Sequence, residues 1–99
     1  ELTTWVERGY DLAITPDGSY VYVSSMAPDV VSKISVATNT VVGNSISVGR
    51  DPIGVAAVGT RVYVANSGSN TVSVIDTVDG MVLTNIKVGR DPRLLAVKP

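Results

Sequence analysis

The chain has 99 residues, 44% of them apolar and 17% charged, a balance that suits one small packed unit and excludes a disordered segment. Eight basic residues against nine acidic ones give a net charge of −1, so no cationic excess exists to neutralise a row of phosphates and nucleic acid is excluded as a partner. Histidine and cysteine are absent, which removes the usual general base, thiolate nucleophile, haem ligand and zinc ligands from these residues.

Short apolar runs separated by turn residues predict consecutive β-strands joined by hairpins. The first run spans residues 10–15 and ends at Pro16-Asp17-Gly18, and the second, 20–25, ends at Ala27-Pro28-Asp29. The third, 30–36, ends at Thr38-Asn39, and the fourth occupies 40–48. The pentapeptide VGRDP closes this set at residues 48–52. A second set runs through 53–58, 61–66, 71–76 and 81–88, separated by Gly59-Thr60, Ser67-Gly68-Ser69-Asn70 and Asp79-Gly80. VGRDP then recurs at 88–92, and a strand-like tail is predicted at 93–98. No segment keeps a 3.6-residue period, so no helix is predicted. The longest uncharged run, 34–49, is interrupted by Ser, Thr, Asn and Gly, which predicts no membrane insertion.

The two sets are copies of one another. Val21-Tyr22-Val23 recurs as Val62-Tyr63-Val64, Val31-Ser32 as Val72-Ser73, and Ile34 as Ile75, all at an offset of 41. Upstream the offset is 43, from Ala13 to Ala56, because Pro16-Asp17 is extra in the first copy. Downstream it is 40, from Ile46 to Ile86, so the first copy holds one more residue near Ser45, for which a bulge is the expected explanation.

Strands such as Val21-Tyr22-Val23 carry apolar residues on both faces, as a strand covered on both sides must. A four-stranded antiparallel sheet of about 40 residues, covered on both faces by copies of itself, is a β-propeller blade. The fold expected is therefore all-β, with two consecutive four-stranded blades in a larger or oligomeric propeller. Residues 10–50 form the first blade, 53–90 the second and 91–99 the start of a third, so residues 1–99 make one partial propeller unit. Residues 2–6 read as the end of a preceding outer strand. The chain opens at Glu1 without a leader, for which a processed product or a fragment is the expectation.

The runs VYVANSGSNTVSVIDT, ATNTVV and VGRDPIGVA resemble the YVTN-type propeller repeat of archaeal and bacterial cell-surface and surface-layer proteins. The resemblance covers residues 10–98. The first copy departs from it, with Ser24-Ser25-Met26-Ala27-Pro28 in place of the Ala-Asn-Ser-Gly turn and Glu7-Arg8-Gly9-Tyr10 in place of VGRDP. What the resemblance implies is an extracellular, cell-surface setting and a structural or adhesive module that contacts other blades, of the same parent chain or of a homo-oligomer, and other surface proteins.

In an up-and-down meander, VGRDP connects the outermost strand of one blade to the innermost strand of the next, where proline needs no N–H partner. That link and the turn between the second and third strands emerge on one rim. The candidate binding residues are therefore Arg50, Asp51, Asn66, Ser67, Ser69, Asn70, Arg90 and Asp91. For the Arg–Asp pairs the competing reading is a salt bridge or loop clamp repeated because the geometry repeats. For residues 66–70 it is turn chemistry, since Gly and Asn accept positive φ. Tyr22 and Tyr63 are assigned to packing between blades, and Trp5 to a blade edge or interface, with a sugar platform as its functional alternative.

No serine has a histidine partner, Asp76 and Asp79 lack the spacing of a calcium loop, and no phosphate-cradling glycine loop or N-x-[ST] sequon occurs. No cofactor, metal site or catalytic residue is expected. The alternative to a structural module is a piece of a lactonase-like or haem-carrying reductase-like propeller whose catalytic residues lie outside this chain.

Overall fold

The computed structural model describes residues 9–26 and 28–89. Among these residues nine strands follow in order: β1 (Gly9–Ile14), β2 (Tyr20–Ser25), β3 (Val30–Ser35), β4 (Thr40–Val41), β5 (Ile46–Ser47), β6 (Pro52–Val58), β7 (Arg61–Asn66), β8 (Thr71–Asp76) and β9 (Met81–Lys87). Among the described residues there is no helix. One antiparallel sheet has the order β1-β2-β3-β4, with β5 also paired to β3, and the other has the order β6-β7-β8-β9. The predicted tail at 93–98, the strand end at 2–6 and Trp5 lie outside the described residues.

The turns follow from local chemistry. Between β1 and β2 the Thr15 hydroxyl donates to Asp17 Oδ1 at 2.7 Å and the Ser19 N–H donates to the same oxygen at 3.0 Å, with Gly18 at φ 76°. The Ser19 amide and the Thr15 hydroxyl hold the Asp17 carboxyl below the usual carboxylate range. The second copy makes the same reversal with Gly59-Thr60 alone, Gly59 taking the positive φ of 55° that the first central position of a type II′ hairpin needs. Asn39 (φ 57°) and Gly80 (φ 70°) occupy the same place in the two later turns, each N–H returning to the carbonyl four residues earlier at 2.8 Å.

The fourth strand departs from the sequence expectation. Residues 40–48 form two short pieces rather than one strand: Val41 pairs with Ile34 and Ile46 with Val31, so five steps on one strand face three on the other. In the second copy Val82 pairs with Ile75 and Ile86 with Val72, four steps against three. A bulge is thus common to both copies, and the extra residue in the first widens it until the ladder breaks around Gly43, at φ 70°.

The first sheet lies on the second with β1 and β2 against β6. Tyr22 and Val31 from one side and Val55, Val62, Val64 and Ile75 from the other form a buried cluster, flanked by Ala13, Ala57 and Val82. Among the described residues, two polar links cross this interface. The Val55 N–H donates to Asp11 Oδ2 at 2.9 Å, and Lys33 Nζ reaches Thr77 O at 3.5 Å while lying 4.0 Å from the centre of the Tyr20 ring. Burial next to Tyr20 and Asp76 pushes the Tyr22 hydroxyl up to about 12. Val23 and Ile34, which alternate with Tyr22 and Lys33 along their strands, are also buried, as are Val72 and Val74 in the second sheet. Apolar burial on both faces of each sheet is the packing a propeller blade requires.

Candidate functional site: a main-chain-clamped rim

Proline opens β6 at Pro52, buried and paired with Asn66 at the strand start, where a missing N–H breaks no ladder bond. The three residues before it lie on the β7–β8 turn. Gly68 N–H donates to Arg50 O at 2.9 Å, while the Ser67 N–H and hydroxyl both donate to Asp51 O, at 2.9 and 3.0 Å. Arg50 N–H donates in return to Ser69 Oγ at 3.2 Å, and Arg50 Nη2 reaches Gly68 O at 3.5 Å. Arg50, Asp51, Asn66, Ser67 and Ser69 therefore meet on one rim. Asn70, at φ 56°, stands at the foot of the same turn, its carbonyl accepting the Val88 N–H at 3.0 Å. Arg90 and Asp91 lie outside the described residues.

The clamp is built from main-chain groups. Arg50 and Asp51 form no ion pair among the described residues, and their side chains are exposed. Asp51 contributes its conformation: its φ of 54° lies in the left-handed region, which Asp, Asn and Gly reach more readily than other residues. Asp51→Asn is expected to leave stability within about 0.5 kcal/mol of wild type and Asp51→Ala to cost about 1 kcal/mol, measured by thermal or denaturant unfolding. Equal effects of the two changes would point instead to a carboxylate contact.

Behind the rim runs a polar ladder that sequence reasoning did not find. Asn66, fully buried, donates from Nδ2 to Ser73 Oγ at 2.8 Å and to Thr71 Oγ1 at 3.1 Å. Ser73 donates onward to Asn85 Oδ1 at 2.7 Å, and the Ser69 and Thr71 hydroxyls are bonded at 2.9 Å. Thr71 and Ser73 alternate with Val72 and share one face of β8, a signal present in the sequence but indistinguishable there from a solvated strand face. Elsewhere, the broken β4–β5 segment and the β8–β9 turn enclose an open cleft of about 640 Å³, lined by Tyr20, Lys33, Ile46, Met81 and Val82 among others. Val42 still donates its N–H to Lys33 O at 2.8 Å, and the cleft opens where the widened bulge carries residues 43–45 away from β3. Among the described residues no group of three potential acidic metal ligands converges.

No family model matches the chain. The PE-PGRS family protein PE_PGRS18 of Mycobacterium tuberculosis is 52% identical over 50 residues, which is 50% of this chain and 11% of that protein. Among solved structures, hydrazine synthase of Kuenenia stuttgartiensis superposes with a TM-score of 0.84 at 28% identity, over 95% of this chain and 27% of its own. Apo AztD from Citrobacter koseri gives 0.79 at 18% identity, over 94% of this chain and 27% of its own. Hsv2 of Kluyveromyces lactis gives 0.60 at 14% identity, over 83% and 25%. The chain thus spans about a quarter of these solved chains. Hydrazine synthase and AztD are β-propeller-like over this region, and the fold of the chain is that of two propeller blades.

Proposed function

We propose that these blades form a non-catalytic structural and interaction module of the YVTN type, set outside the cell on a surface or surface layer. The observation that carries this reading is the rim. Its backbone is fixed by bonds from the β7–β8 turn to the connector carbonyls and from the Arg50 N–H to the Ser69 hydroxyl, so the exposed Arg50 and Asp51 side chains stand on a preorganised platform on which a partner can be met. A rigid polar rim over an apolar blade core suits protein–protein contact without chemistry. Its partners are other blades and other surface proteins, and it takes no cofactor. Antibodies raised against the 99-residue chain are expected to label intact, unpermeabilised cells of its source. Labelling only after lysis would reject the surface assignment.

The likeness to hydrazine synthase favours a second reading, a blade pair from a propeller enzyme. In that case the catalytic groups come from other parts of the parent polypeptide. A channel-facing cluster of His or acidic residues there would decide for the enzyme, whereas further YVTN-like repeats would decide for the scaffold.

A further inference from the structure

Three departures from the repeat meet at the open cleft between the β4–β5 segment and the β8–β9 turn. At the offset of 41, Tyr20 has Arg61 as its counterpart and Lys33 has Val74, and the residue that the first copy holds in excess falls between Val41 and Ile46. All three places line the cleft. Val74 is buried, so the blade packs without a cation at this position, and the lysine is a feature of the first copy alone.

The charge on Lys33 has no counterion. Among the described residues it makes no ion pair, and its ammonium, with three protons to give, meets Thr77 O at 3.5 Å and the centre of the Tyr20 ring at 4.0 Å. That carbonyl lies beyond the roughly 2.7–3.2 Å of an ordinary N–H···O bond, so the half-buried cation is held in place but left short of acceptors. Beside it Tyr20, Ile46 and Val82 rest on the buried core and give the cleft a fixed apolar floor, while Val78 and Met81 stand exposed at its mouth. Asn44 and Ser45, in the segment carried away from β3, bring side-chain donors that make no hydrogen bond among the described residues.

We infer that this cleft binds a small monocarboxylate with an aliphatic body, its carboxylate at Lys33 and its chain over Ile46, Val82 and Met81. The volume of about 640 Å³ suits a small molecule. One lysine, without an arginine fork, balances a single negative charge, and Asp79 on the bordering turn opposes a second, so a carboxylate fits where a phosphate dianion does not. The cleft lies at the end of β8 opposite the clamped rim, so ligand binding here is separate from partner contact there.

The test is a titration of the isotope-labelled 99-residue chain with octanoate, followed by amide chemical shifts. Octanoate is expected to bind with a Kd of about 1 mM or tighter and to move the amides of Lys33, Ile46 and Val82. Octanol, which keeps the chain and lacks the charge, should bind at least about tenfold more weakly. Lys33→Met should erase that difference. Where this variant fails to fold, Val78→Asp, a change at an exposed residue of the mouth, should weaken octanoate at least about threefold and leave octanol unaffected. Equal binding of octanoate and octanol, shifts confined to the exposed Leu12 and Ile14, or no saturation below about 10 mM would overturn the assignment. Tighter binding of inorganic phosphate than of octanoate at Lys33 would overturn it too.

Discussion

Tyr22→Ala is expected to cost about 3–5 kcal/mol, a large share of the stability of a domain this size. The ring is fully buried where the two sheets meet, so its loss opens a cavity in the contact that joins the blades. Tyr22→Phe should behave in the opposite way. The Tyr22 hydroxyl is buried without a hydrogen-bond partner among the described residues, so removing it relieves a desolvation cost and leaves stability equal to or above wild type. The two variants also separate in alkali. With the folded hydroxyl pushed up to about 12 from an ordinary value of 10.0, the unfolded chain loses this proton first. The contribution to stability is complete below pH 10 and is lost as pH rises toward 12, at about 1.4 kcal/mol per pH unit at most. Denaturant unfolding between pH 9 and 12 should show a shallower decline for Tyr22→Phe than for wild type. Parallel declines would place the hydroxyl in water.

A methyl group at position 49 should damage the rim, whereas one at position 68 should be absorbed. An added Cβ on Gly49 would lie 2.5 Å from Ser69 Oγ and 2.8 Å from Cγ and Nδ2 of Asn66. Asn66 is buried and held by Thr71 and Ser73, so it has nowhere to move. Gly49→Ala is expected to cost about 1–3 kcal/mol, the range for forcing extra volume into a packed site. On Gly68 the atom met most closely is the carboxylate oxygen of Asp51, the end of an exposed side chain that can swing aside, and Arg50 Cβ at 3.1 Å need give only a few tenths of an ångström, so Gly68→Ala should cost about 1 kcal/mol at most. Equilibrium unfolding of both variants measures the difference, and a larger loss at Gly68 would mean that the connector does not sit on Asn66.

Most of the blade pattern was legible because it rests on short-range rules. Residues 20–25, 61–66 and 71–76 appear as the strands that the short apolar runs predicted, since β-branched and aromatic residues are bounded there by turns whose glycines and asparagines take positive φ. The rim was legible from topology, as a meander puts the VGRDP connector beside the β7–β8 turn. Its mechanism was not. The clamp uses the carbonyls of Arg50 and Asp51, and carbonyls carry no residue signature, so the sequence leaves a salt bridge and a loop clamp both open. The fourth strand was half legible: the change of offset from 41 to 40 marked the extra residue near Ser45. Only the pairing shows that it widens a bulge present in both copies far enough to split the strand. Asn66 reaches Ser73, which in turn reaches Asn85, across strands whose register the sequence does not state.

The central claim is that the two repeats pack face to face as adjacent blades, with Tyr22 of the first against the valines of the second. Nuclear Overhauser spectroscopy on the 99-residue chain, methyl-labelled at valine, tests it directly. Cross-peaks from the Tyr22 ring to the methyl groups of at least one of Val55, Val62 and Val64 are the expected result. A Tyr22 ring that shows contacts only within its own repeat would contradict the packing of the two blades.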